Sequence, residues 1–205
     1  MKVDTFAGSL RQAPENAQVA ESLGLDGVVT SEVKHDPFFP LAAAALATTR
    51  VELITSIAVA FARSPMTVAL QARDLNDASN GRFVLGLGSQ IKPHITRRYS
   101  MPWSRPAARM REYVQAVRAI WRCWNDGSRL QFEGDFYRHT LMPPMMVPEP
   151  TGLPDPRIVV AAVNSGMAQV AGEVGDGLHC HGFCTPLWIE KVVIPAVEDG
   201  LATKT

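Results

Sequence analysis

Four of the five histidines, His35, His94, His179 and His181, fall at or just beyond apolar runs that read as strand ends, while His139 lies in a candidate hairpin. Imidazole titrates near neutral pH, so such a cluster suits proton transfer. Histidines in exposed loops are also common, and spacing alone leaves both readings open. No metal site is expected. His179 and His181 would share one face of a strand, and Cys180 and Cys184 lie close by, but Cys180 points the other way and no CxxC or HExxH pattern occurs. Cys184 has no partner pattern that would make it a nucleophile, and reads as a buried or loop thiol. Gly86-x-Gly88 has Ile91 where the third glycine of a dinucleotide fingerprint belongs. A better anion site is the passage through Asn164, Ser165, Gly166 and Met167, which leads from a strand directly into a helix. Free N–H groups and the positive end of the helix dipole would face a phosphate there. The same residues also make an ordinary Asn/Ser helix cap, and the two readings stay open.

These residues need a frame that brings strand ends together, and the rest of the chain supplies its rhythm. Residues 3–7, 27–32, 51–60, 83–87, 157–163 and 178–183 have strand composition. The third of these is nearly continuous in apolar residues, as expected when both faces are buried. Helical spacing follows each: Ala17, Ala20 and Leu23; the alanine-rich 39–48; the run from Ser64-Pro65 to about Ser79; residues 165–174; and 186–198. The clearest helix begins at Ser104 and Pro106, with Met110, Tyr113, Val114, Val117, Ile120, Trp121 and Trp124 at three- and four-residue spacing. Residues 90–101 form a long polar segment. Residues 125–156 read as an insertion carrying a β-hairpin turned at Gly134-Asp135. Alternating strands and helices imply a parallel sheet covered by helices, either doubly wound or a barrel. Sites in both architectures gather at the C-terminal strand ends, where Glu32, His35, Ser89, His94, Asn164 and Gly182 stand.

Composition narrows the partners. The chain has 205 residues, 46% hydrophobic and 20% charged, enough for one domain over 1–205 with a real core. Lysine plus arginine equals aspartate plus glutamate, so no basic excess argues for nucleic acid. No run approaches the roughly 18 apolar residues of a membrane span. Three unpatterned cysteines and no signal-peptide pattern lead to the expectation of a cytoplasmic protein.

Motifs in order along the chain carry a resemblance. Asn80 and the GRFVLGLGSQ that follows resemble the "SGGR-(F/V)-x-LG-x-G" motif of the bacterial luciferase-like flavin or deazaflavin oxidoreductases. Thr30-Ser-Glu32 with Pro37-Phe38, Thr49-Arg50-Val51 leading to Ile57, Arg63-Ser-Pro65, and Ala171-Gly172 leading to Asp176-Gly177 resemble further motifs of that family. Gly88 to His94 and Met101 to Ala107 are most similar to the branch that uses the deazaflavin coenzyme F420. The resemblance implies a TIM-barrel-like (β/α) fold, shortened to about six βα units instead of eight, and an oxidoreductase that passes hydride between F420 and a small organic substrate. Flavin mononucleotide (FMN) is the alternative cofactor, in a luciferase-like monooxygenase. A shortened, non-catalytic flavin-binding relative or partner subunit is a further alternative.

The same resemblance assigns residues. It places the phosphate-bearing tail on Asn164, Ser165, Gly166 and Met167 with Gly182 nearby, and the ring against Ser56, Ile57, Gly88 and Ser89. It implies a non-proline cis peptide at Ser56–Ile57. His35 and His94 are the expected proton donors or acceptors, with Glu32 as runner-up. Two positions depart from deazaflavin-dependent sugar-phosphate dehydrogenases: Val33 stands where they carry a histidine, and Ile91 where they carry a glutamate. A sugar-phosphate substrate is therefore not expected. Six units leave two sheet edges unpaired, which points to a homo-oligomer.

Overall fold

The computed structural model describes residues 2–204. Its elements follow in the order β1 (Asp4–Phe6), α1 (Ala13–Ser22), β2 (Gly27–Thr30), α2 (Phe38–Ala47), β3 (Glu52–Thr55), β4 (Ala58–Val59), α3 (Pro65–Ala78), β5 (Phe83–Gly88), α4 (Pro106–Asp126), β6 (Phe132–Glu133), β7 (Arg138–His139), β8 (Arg157–Ala162), α5 (Ser165–Val174), β9 (Gly177–Cys180), α6 (Pro186–Trp188) and α7 (Ile194–Leu201). A π-helical stretch, Ile189–Val193, joins the last two helices.

The main sheet runs β1-β2-β3-β5-β8-β9, parallel at every pairing. Each strand lies beside the strand that precedes it in this sequence. A doubly wound sheet reverses order at a switch point, so the unbroken order is that of a barrel wall. The sheet is a curled half-barrel. One face packs under the helices: Val28, Leu53, Phe83, Leu85, Leu87, Ile158 and Val160 are all buried in one cluster with Ala13, Ala17 and Ala20 of α1 and Met110, Val114 and Trp121 of α4. The pairing register places Phe6, Val29, Ile54, Val84, Gly86 and His179 on the other, concave face.

Several boundaries differ from the sequence reading. The expected single strand over 51–60 is interrupted. Leu53 and Ile54 pair with Phe83 and Val84, and pairing resumes with Ala58 opposite Leu87. Three residues of one strand thus face two of the other, a bulge that apolar composition does not reveal. The polar segment 90–101 contains a π-helical turn, His94–Arg98, anchored by the buried Ile95. The long helix is entered from Arg105, with φ 24°, rather than capped by Ser104.

The hairpin expected within 125–156 forms from β6 and β7. It is held by α4, because the Glu112 carboxylate accepts the N–H groups of Asp135, Phe136 and Tyr137 at 2.9, 2.8 and 2.6 Å. The segment after it is tied to α3, where Asn76 donates to Pro154 O at 2.9 Å and Arg73 donates to Glu149 O at 3.2 Å. Among the described residues, no helix is long and apolar enough to cross a membrane.

Candidate active site

The bulge between β3 and β4 is where the strand ends begin to form a site. Its peptide bond Ser56–Ile57 is cis, at the position the motif resemblance implied. Here β3 leaves the ladder, and the Thr55 side chain takes over the pairing: its hydroxyl donates to Gly86 O and accepts from Gly86 N, both at 2.8 Å. A β-carbon on Gly86 would sit 1.8 Å from Thr55 O, and one on Gly88 would sit 2.7 Å from the Ile57 side chain. Gly86 is therefore required by the close approach of the β3 backbone, and Gly88 by the Ile57 side chain packed against the end of β5.

The exit of β2 is bolted to this bulge. Ser56 N–H donates to Thr30 O at 2.6 Å and Glu32 N–H to Ile57 O at 3.2 Å. The Glu32 carboxylate is 7% exposed, and both of its oxygens are engaged. One accepts from the Val59 amide at 2.7 Å and from Arg63 at 2.6 Å, and the other accepts from the Tyr99 hydroxyl at 3.0 Å. Arg63 continues to Asp36 at 3.0 Å. Burial alone would lower the Arg63 pKa, but Glu32 and Asp36 raise it, so the guanidinium stays charged. Burial, with Glu32 adding to it, raises the pKa of Tyr99, which keeps its proton and donates it to the carboxylate. Arg98 closes the ring by donating to Val33 O at 2.5 Å. The loops after β2 and β5 are thus locked together through Glu32. The sequence reading did not assign Tyr99 or Arg98, since neither lies at a strand end. Arg63 stands after the third strand and in the Arg63-Ser-Pro65 motif, but the sequence assigns it no role.

His35 and His94 are both exposed, and the structure does not join them by a hydrogen bond. His35 lines a cleft of about 310 Å³ at the ends of β1 and β2, whose walls include Phe6, Val29, Val33, Lys34 and Pro40. His94 lies outside that cleft on the π-helical turn, its Nδ1 2.9 Å from Gln90 Oε1. Ser89, half-buried at the end of β5, donates to Gln90 O at 3.2 Å.

At the far side, α5 starts where the sequence places it. Asn164 Oδ1 accepts from Met167 N–H at 3.2 Å, so the cap reading is realised. The first amides of the helix, at Ser165 and Gly166, have no carbonyl one turn back to bond, and both residues are exposed. A β-carbon on Gly166 or on Gly182 would meet nothing within 4 Å, and neither residue has a positive φ. Nothing in the fold requires glycine at these two positions. Trp188 Nε1 donates to Val163 O at 2.8 Å, which ties the segment after Gly182 to the entrance of α5.

The other histidines separate. His179 points into the concave face with its Nε2 buried and, among the described residues, without a partner; burial lowers its pKa, against the opposing charge of Asp4. His181 accepts from Phe183 N–H at 3.2 Å and stacks on that ring. Among the described residues, no group of three or more histidine, cysteine, aspartate or glutamate side chains could hold a metal ion.

Comparison with known proteins places this geometry. The model of the luciferase-like monooxygenase family matches residues 2–205. An uncharacterized protein of Mycobacterium tuberculosis (strain ATCC 25618 / H37Rv) is 50% identical over 203 residues, covering 98% of this chain and 60% of that protein. An F420-dependent glucose-6-phosphate dehydrogenase of Mycobacterium avium (strain 104) is 33% identical over 208 residues, 94% of this chain and 59% of the enzyme. The crystal structure of the monooxygenase RslO1 from Streptomyces bottropensis superposes with a TM-score of 0.79 at 27% identity, covering 99% of this chain and 67% of that one. The chain spans about three fifths of the length of the curated relatives it matches.

Proposed function

The chain belongs to the luciferase-like monooxygenase family, and from that premise we propose that it is an oxidoreductase using coenzyme F420 for hydride transfer to or from a small organic substrate. The carrying observation is the pair Gly166 and Gly182, two glycines at neighbouring strand ends that packing and backbone conformation leave free to be any residue. A ligand that approaches the backbone there gives them a reason. When bound, a deazaflavin supplies a two-electron hydride donor or acceptor.

The chain's own residues divide the rest of the work. The Ser165 and Gly166 amides and the α5 dipole hold the phosphate of the tail, with Asn164 and Met167 fixing that turn and Gly182 leaving it room. Ser56, Ile57, Gly88 and Ser89 form the shelf for the ring. His35, in the cleft, moves the proton that accompanies hydride transfer, and His94 is the second candidate. Glu32 serves as a positioning residue, since its oxygens are occupied by Val59, Arg63 and Tyr99.

F420 is preferred over FMN because a relative at 33% identity over 94% of the chain is named as F420-dependent. A sugar phosphate is not carried over from that relative, given Val33 and Ile91. Titration of the purified protein with F420 and with FMN, followed by absorbance and fluorescence, tests this reading. Saturable F420 binding that weakens in Gly166→Val supports it. Binding of FMN alone would move the protein to the flavin monooxygenases, and binding of neither sinks the proposal.

A further inference from the structure

The cleft that holds His35 has a polarity of its own. Phe6, Val29, Val33 and Pro40 give it apolar walls, and its volume of about 310 Å³ is at the low end for ligand pockets. Thr30, Ser31, Lys34, His35 and Asp36 supply its polar lining. Two of these are spent on the fold. The Thr30 hydroxyl donates to Pro37 O at 2.8 Å. The Asp36 carboxylate accepts from the Phe38 and Phe39 N–H groups at 2.8 and 3.3 Å and from Arg63 at 3.0 Å. Its charge is thereby balanced, and it fills the first amides of α2, the groups that would otherwise receive a phosphate. Ser31, Lys34 and His35 are exposed, and among the described residues their side chains have no hydrogen-bond or ion-pair partner. Arg98 is turned to Val33 O and lies over the Tyr99 ring at 5.2 Å, and it does not line the cleft.

We propose that this cleft binds a small monocarboxylate with an apolar body, its carboxylate on the Lys34 ammonium and the Ser31 hydroxyl and its body against Phe6, Val29, Val33 and Pro40. One unpaired cation balances one negative charge. A phosphate monoester dianion would keep a charge uncompensated beside apolar walls, which is costly. A cationic ligand would meet Lys34 with no free carboxylate in the lining to offset it. An uncharged alcohol gains the wall contacts but leaves Lys34 unused. The binding claim stands on the cleft alone. That the bound anion is the substrate of hydride transfer rests on the oxidoreductase reading given above. The backbone joins the two sites, since Ser56 N–H, on the segment assigned to the ring, donates to Thr30 O in the cleft lining at 2.6 Å.

Isothermal titration of the whole chain with hexanoate, hexan-1-ol, hexylammonium and hexyl phosphate tests the class of ligand. Hexanoate is expected to bind saturably and several-fold more tightly than hexan-1-ol, with an affinity that falls as salt is raised. Hexylammonium is expected not to bind. Lys34→Met removes the charge at an exposed position, and should bring hexanoate down to the affinity of hexan-1-ol while leaving the alcohol unchanged. Val33→Asp, also at an exposed position, places a like charge beside the carboxylate and should weaken hexanoate more than the alcohol. Absence of hexanoate binding, equal affinity for hexanoate and hexan-1-ol, tighter binding of hexyl phosphate, or hexanoate binding that Lys34→Met leaves unchanged overturns the proposal. F420 is titrated into the same preparation. F420 binding without hexanoate binding sinks this inference and leaves the cofactor reading standing. Hexanoate binding without F420 binding leaves the specificity of the cleft standing and sinks the claim that its anion is a substrate of hydride transfer.

Discussion

At Gly86 an added β-carbon would meet Thr55 O at 1.8 Å, whereas at Gly166 it would meet nothing within 4 Å. The two glycines therefore answer differently to mutation. Gly86→Ala forces β3 and β5 apart at the bulge and is expected to cost about 3 kcal/mol, read from urea unfolding. Gly166→Val, at an exposed first-turn position, is expected to leave the thermal midpoint unchanged or slightly raised while weakening F420 binding; a loss of stability with unchanged binding would refute its assignment. Thr55 carries two hydrogen bonds to Gly86, so Thr55→Val leaves a buried amide and carbonyl unpaired at a cost of about 2 kcal/mol. In the Glu32–Arg63 pair the carboxylate is buried and the guanidinium half-buried, with side-chain exposures of 6% and 14%. Arg63→Met strands the carboxylate beside the Val59 amide, and about 3 kcal/mol of stability should be lost. A change below 1 kcal/mol in the unfolding free energy would show that Tyr99 and Val59 suffice to hold Glu32.

Elements are fastened to one another by carboxylates that gather backbone amides. Glu21, in the last turn of α1, accepts from the N–H groups of Thr49, Arg50 and Val51 just before β3. Burial pushes its carboxyl pKa up, but the three N–H groups and the Thr49 hydroxyl outweigh it, and the value falls from 4.5 to about 2. A carboxyl depressed in the folded state stabilises fully above its unfolded pKa and loses that contribution as pH falls through the folded one. The stability difference between wild type and Glu21→Gln is therefore expected to be constant near neutrality and to shrink between pH 4.5 and about 2. Thermal midpoints across that range measure it, and a difference that persists at the acid end would show that the carboxylate's charge is not what holds the loop. Glu112 fastens the hairpin in the same way. Its replacement by alanine should speed hydrogen exchange at Asp135, Phe136 and Tyr137 while leaving α5 protected.

At the scale of the molecule, among the described residues β1 pairs only with β2 and β9 only with β8, so each presents an unpaired edge. Unpaired parallel edges recruit further strands. The 205-residue chain is accordingly expected to associate, with light scattering at micromolar concentration giving at least twice the monomer mass. A strictly monomeric chain would show that the short edges, three and four residues long, are too brief to recruit a partner.

The βα rhythm was legible in the sequence because each strand and helix advertises itself locally, through apolar runs, proline starts such as Ser64-Pro65 and the Asn164 cap. That rhythm does not by itself fix the barrel-like wall, since strand order is a property of pairing and α/β alternation fits either architecture; the motif resemblance is what implied it. The motif order led to the cis bond at Ser56–Ile57, and the strand-to-helix passage at Asn164–Met167 led to the helix cap. Yet Glu32 drew attention as an acid, and only the assembled loops revealed that Arg63, Val59 and Tyr99 consume its oxygens. The meaning of the glycines divided in the same way: their positions are written in the sequence, but whether a β-carbon would strike Thr55 or reach open space depends on what folding brings next to them. Local composition determines where an element can form; which groups are spent on one another, and which remain free for chemistry, is decided by contacts between residues far apart in the chain.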